Sequence, residues 1–164
     1  MKRTGRRSDC PINFALQIFG DTWSLLIIRD LLFTKRRTYS DFLGAEERMA
    51  TNVLADRLQL LQAAGLIRRR GTGRNAPFAL TAKGLDLLPV MLELVLWSAR
   101  HDRDTAAPAA FVARIRSDRR RLTAKLTALL QREYLNHSVA RAKTPARAKS
   151  KRGRRANSQR GSRK

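Results

Sequence analysis

Between Thr51 and Gln59 the sequence reads TNVLADRLQ. On a helical wheel Asn52, Ala55, Asp56 and Gln59 share one side, and Leu54, Leu58 and Leu61 take the other. The first group suits the edges of base pairs. Asn and Gln pair with adenine, a carboxylate accepts from cytosine N4, and a methyl group touches the thymine methyl. Thr51 stands at the helix start, where unbonded N–H groups and the helix dipole favour a phosphate. The competing reading is a plain solvated helix beside a plain basic hairpin, since charge runs usually face water. An exposed helix on so basic a chain would then be expected to carry Lys and Arg where this one carries small and amide groups.

Cations flank this face rather than fill it. Arg37 precedes a short helix, Arg48 stands at the entry to the wheel just described, and Arg57 lies at the edge of its apolar stripe. Arg68, Arg70 and Arg74 occupy the segment that follows. With Thr51 they are the candidates for phosphate or groove contacts, distinct from the base readers Asn52, Ala55, Asp56 and Gln59. The glycine-rich tip GTGRNAP carries Arg74, a side chain that a narrow minor groove attracts.

Other chemistries find little to use. Cys10 is the single cysteine, so no disulfide forms within one chain and no CxxC knuckle exists. Beside Pro11, its thiol reads either as a small packed hydrophobe or as a thiolate helped by helix N–H groups and Arg6 or Arg7, with Asp9 opposing. His101 and His137 lack partners at metal-ligand spacing. No Ser/His/Asp order, phosphate loop or paired carboxylates stand out, so neither a cofactor, a metal nor enzymatic turnover is expected.

The elements that must position the face follow from periodicity and punctuation. CPINFALQIFG is a short helix with Pro11 in its first turn and Gly20 at its end. DTWSLLIIRDLLF is a second helix, capped by Asp21 or Thr22. A third, short helix carries Tyr39, Phe42 and Leu43 inward. Gly65 ends the helix of the base-reader face in a left-handed cap. LIRRR and FAL are strands joined by the glycine turn, and Thr81 caps a helix that Pro89 must kink or break. After the linker DRDTAAP, Phe111, Ile115, Leu122, Leu126 and Leu129 predict one more helix, with its stripe interrupted at Asp118. Trp23 and Trp97 suit core or dimer packing.

The fold class is thus mainly α with a small β-hairpin. The expected organisation is a basic arm (1–9), a DNA-binding and dimerisation domain (10–102), a linker and C-terminal helix (103–135) and a disordered tail (136–164).

Of 164 residues, 35 are Lys or Arg and 13 are Asp or Glu, a net charge of +22. Such excess points to a polyanion, nucleic acid before an anionic membrane surface. Eleven of the basic residues and none of the acids lie between Asn136 and Lys164, a run that suits either a nonspecific DNA-holding arm or a solvated tail. No apolar run approaches the ~20 residues of a membrane span, and no secretory signal precedes the domain, so a cytoplasmic location is expected. A nonspecific nucleic-acid coat driven by charge alone is the alternative function.

Several blocks together carry a family resemblance: CPINFALQIFGDTWSLLIIRDLLF, RRTYSDF, MATNVLADRLQLLQAAGLIRRR and FALTAKGLDLLPVM followed by Trp97. Their order and spacing, from Cys10 to His101, resemble the HxlR-type winged helix-turn-helix regulators. The resemblance implies a bacterial, homodimeric, sequence-specific regulator of duplex DNA, associated with the nucleoid and most often a repressor. Asn52–Leu66 matches the recognition helix, and residues 68–78 match the wing. Cys10 stands where relatives often carry a cysteine, which some use to sense oxidants or reactive aldehydes, so the resemblance implies a candidate thiol sensor. Arg48 stands where relatives often have glycine.

Overall fold

The computed structural model describes residues 8–73 and 75–136. The arm before Ser8, Arg74 and the basic run from His137 to Lys164 lie outside them. Helix α1 (Pro11–Phe19) leads to α2 (Ser24–Arg29), which widens into a π-helical turn over Asp30–Thr34. Asp21 caps α2 from outside: its Oδ1 accepts from the backbone N–H of Trp23 and of Ser24, both at 2.8 Å. The short α3 (Tyr39–Leu43) precedes α4 (Thr51–Ala63). Strands β1 (Ile67–Arg69) and β2 (Phe78–Leu80) pair antiparallel, with Arg68 opposite Ala79. The Arg37 carbonyl accepts from Phe78 N–H at 2.7 Å, so the chain before α3 edges the hairpin as well.

Leu54, Leu58 and Leu61 of α4 are buried against Ile27, Ile28, Leu31, Phe42 and the hairpin residues Ile67, Phe78 and Leu80. The end of α4 is a Schellman motif. Leu66 N–H bonds the Leu61 carbonyl at 3.0 Å and Gly65 N–H the Gln62 carbonyl at 2.9 Å, with Gly65 at φ +71°. Both bonds turn the chain straight from helix into β1. Helix α5 (Ala82–Leu85) locks onto this turn: Thr81 Oγ1 donates to the Gly65 carbonyl at 2.6 Å and Lys83 Nζ to the Ala64 carbonyl at 2.8 Å. Gly84 comes so close that a Cβ there would sit 2.1 Å from the Leu66 carbonyl oxygen.

The expected break at Pro89 is present, because α6 (Leu88–His101) begins immediately before it. The single helix expected over the C-terminal apolar stripe is two. Helix α7 (Ala109–Ser117) stops at Asp118, whose carboxylate caps α8 (Arg119–Gln131) by accepting from Arg121 N–H at 2.9 Å. What interrupts the stripe is thus a helix boundary. Leu129, expected inward, is 52% exposed. The buried line runs instead through Leu122, Leu130 and Tyr134, the last in a π-helical turn over Arg132–Asn136. These residues, with Ile115, join the same core as α2 and α4, and Phe111 meets Phe33 edge to face at 6.1 Å between ring centres.

Candidate nucleic-acid interface

Helices α3 and α4 form a helix-turn-helix. Helix α3 starts from a capping box, in which Asp41 N–H donates to Thr38 Oγ1 at 3.2 Å and Thr38 N–H to Asp41 Oδ2 at 2.8 Å. Arg37 N–H reaches the same carboxylate oxygen at 3.0 Å. The N–H bonds from Arg37 and Thr38 stabilise its charged form and hold the Asp41 pKa below its ordinary value. Two further bonds set the angle of α4. Tyr39 Oη donates to the Thr51 carbonyl at 2.8 Å, and Ser40 Oγ donates to Asn75 Oδ1 at 3.0 Å, tying α3 to the hairpin tip.

The structure leaves the outer side of α4 open. Thr51, Asn52, Ala55, Asp56 and Gln59 are all exposed, and Ala50 caps the helix without a side-chain bond. The first-turn N–H groups of α4 therefore lack the usual side-chain acceptor at the cap. Arg48 is exposed at the entrance and holds φ +51°, the left-handed region that glycine adopts without strain. That geometry explains why glycine suits this position in relatives.

The remaining cations divide differently from the sequence expectation. Arg57 turns back to Asp21, with Nη1 at 3.2 Å from Oδ2, and its buried Nε has no hydrogen-bond partner among the described residues. Burial raises the Asp21 pKa, but the bonds from Ser24, Trp23 and Arg57 together outweigh it and leave it lowered. Arg37, Arg68 and Arg70 share the outer face of the hairpin and reach the turn at Arg132–Asn136. Arg68 Nη2 donates to the Tyr134 carbonyl at 2.7 Å, and Arg70 Nη2 donates to the same oxygen at 2.5 Å and to the Glu133 carbonyl at 3.3 Å. Arg37 pairs with the Glu133 carboxylate and lies 5.1 Å from the centre of the Tyr134 ring. Tyr134 is itself fully buried, and its Oη donates to the Leu31 carbonyl at 2.5 Å.

This cluster was the part of the surface that sequence reasoning missed. A signal existed, in the four-residue spacing of Leu122, Leu126, Leu130 and Tyr134, which aims the aromatic ring at the core. Arg69, on the opposite face of β1, lies 5.7 Å from the Phe78 ring centre and donates to the Gly73 carbonyl at 2.8 Å. Cys10 is exposed at the start of α1, which rules out the packed-hydrophobe reading within one protomer.

Helices α2, α3 and α4, a hairpin behind an open helix face, and a following helix locked to that hairpin define a winged helix-turn-helix fold. A model of the family described as HxlR-like helix-turn-helix matches residues 18–105. The chain belongs to that family, which is one of transcriptional regulators. An HTH-type transcriptional regulator of Synechocystis sp. is 32% identical over 88 residues, a match spanning 52% of this chain and 64% of that protein. Among solved structures, PA1607, assigned as a transcription factor, is 30% identical with a TM-score of 0.53, over 58% of this chain and 68% of its own. A protein of Porphyromonas gingivalis assigned to the MarR family of regulators is 27% identical with a TM-score of 0.51, over 59% of this chain and 97% of its own. The family match stops at residue 105, short of α7, α8 and Tyr134.

Proposed function

We propose that this protein is a sequence-specific regulator that binds duplex DNA as a homodimer and represses by occupying a palindromic operator. The observation that carries the reading is the outer side of α4. Asn52, Ala55, Asp56 and Gln59 stand exposed on a rod whose opposite side is anchored in the core. They read base edges in the major groove. Thr51 and Arg48 at the helix entrance contact phosphate, and the hairpin tip with Arg74 reaches the neighbouring groove.

Two exposed apolar faces support the dimer. Helix α1 shows Ile12, Phe14 and Leu16 to solvent, and α6 shows Val90, Leu94 and Trp97, the last 64% exposed. Large exposed apolar groups mark an interaction surface, and a two-fold axis there would carry both copies of α4 to successive major grooves, about 34 Å apart. The Lys/Arg-rich run after Asn136 adds nonspecific grip through counterion release. The protein then works in the cytoplasm at the nucleoid. Cys10 supplies a thiol-responsive input: it is exposed at a helix start beside the α1 face, where an adduct would disturb the dimer. A Cys10→Ser variant should lose any effect of a thiol-reactive electrophile on operator binding, and an equal response from the variant removes the thiol from the reading.

Selection of bound sequences from a random duplex pool tests the whole. The expected product is an inverted repeat with half-sites about one helical turn apart. A pool that stays random, with a steep salt dependence, identifies a charge-driven coat instead.

A further inference from the structure

The arginines on the outer face of the hairpin are bonded within the chain. A carbonyl oxygen has two lone pairs. At Tyr134 both are taken, one by Arg68 and one by Arg70. Arg70 also donates to the neighbouring Glu133 carbonyl, and Arg37 pairs with the Glu133 carboxylate beside them. Tyr134 fixes the turn from beneath, through its ring in the core and its hydroxyl on Leu31. A phosphate would meet guanidinium groups whose Nη2 donors already hold a carbonyl. The strands so held are only three residues long, and a hairpin of that size needs outside support.

We propose that the C-terminal extension belongs to the DNA-reading apparatus. Its last turn, Arg132–Asn136, is a strut on the outer face of the wing, and Arg37, Arg68 and Arg70 are positioning residues that hold the wing at its reading angle. The inference rests on the DNA-reading role proposed above, but the strut has a readout that needs no DNA. The partner of the arginine cluster is the chain's own turn at Arg132–Asn136, and the duplex is left to Arg48, the tip and the open side of α4.

The test uses the full chain carrying Glu133→Ala and Tyr134→Leu together, which weakens the strut and leaves the three arginines intact. Amide hydrogen exchange without DNA should quicken at least tenfold across residues 67–80 while α6 keeps its protection. Affinity for the selected operator should fall about tenfold, with the loss concentrated where the wing touches the flank. Arg70→Gln should weaken binding in the natural chain without changing the salt slope, and should add nothing in the strut variant, because both changes remove one interaction. The milder Glu133→Gln, expected to shift both readouts two- to threefold in the same direction, serves if the double variant does not fold.

Unchanged wing exchange overturns the strut. So does tighter operator binding by the strut variant, or an Arg70→Gln effect that persists there with a salt slope lower by about one, since these mark the arginines as phosphate grips released from cover. Absence of any preferred operator, with wing exchange still quickened, would instead unseat the DNA reading and leave the strut standing.

Discussion

The open side of α4 and the outer face of the hairpin are two polar surfaces of the helix-turn-helix and its wing, and the protein treats them in opposite ways. On α4 the side chains are small or amide-bearing and reach into solvent. At the hairpin, Arg68, Arg70 and the neighbouring Arg37 are drawn onto backbone carbonyls and a carboxylate of the turn Arg132–Asn136. Charge alone would rank the second surface as the stronger DNA contact. The proposed strut reverses the ranking, because a donor already matched to a carbonyl gains little from a phosphate and loses a partner. A surface poised for a ligand is one whose polar groups have not yet been answered by the fold.

Substitutions sharpen this contrast, beginning where the effect is largest. Tyr134→Ala empties a fully buried site and strands the Leu31 bond, so it should cost about 3–5 kcal/mol of stability, read by chemical denaturation. A loss below about 1 kcal/mol would mean that the extension is loosely held. On the open face the pattern should invert. Gln59→Ala should change stability by no more than about 0.5 kcal/mol yet cost about 1–3 kcal/mol of affinity at one operator position. An affinity loss spread evenly over all sequences would move Gln59 to the backbone-contacting class.

Smaller effects belong to the supports between the two surfaces. Arg48→Gly relieves a left-handed backbone strain of about 1–2 kcal/mol and gives back part of it as unfolded-state entropy, for a net gain of about 0.5–1 kcal/mol. Thermal melting checks the sign. If operator affinity falls in that variant while stability rises, Arg48 is both strained and in contact with DNA.

The smallest effect is in acid. Backbone and hydroxyl bonds depress the Asp41 pKa, and the Arg29 guanidinium depresses that of Glu47. A depressed folded pKa contributes stability that is whole above the ordinary carboxylate range and is lost as pH falls through the folded value. Stability should therefore decline below about pH 4, and Asp41→Asn should make the decline shallower. Tyr134 has the opposite sense. Burial, the largest influence, raises its pKa, so its contribution is whole below the ordinary tyrosine value and is lost as pH rises through the raised one.

Much of this was legible in the residues. The stripe Leu54, Leu58, Leu61 predicted which side of α4 is anchored, and Gly65, Thr81 and Pro89 marked turns and caps that the structure contains. These are local signals, each carried by a residue whose backbone preference or spacing acts within one turn of chain. The destination of an arginine is not local. Glu133 lies 96 residues from its partner Arg37, and the carbonyl that Arg70 holds is 64 residues away. Nothing within a helical turn of Arg68 or Arg70 distinguishes a phosphate grip from a structural tie. The shift of the buried stripe from Leu129 to Leu130 has the same origin, because the anchor that sets it, Tyr134, acts through Leu31 on a distant helix.

The hairpin is gripped at its root. Gly84 presses on Leu66 from one side, the arginine cluster holds the other, and Arg70 N–H closes the base by bonding the Pro77 carbonyl at 2.7 Å. The loop beyond, from Gly71 to Gly73, lies past all three anchor points and is exposed. An engineer could therefore graft longer or differently charged loops at that tip and retune which flanking bases are favoured, with the scaffold below acting as a fixed socket.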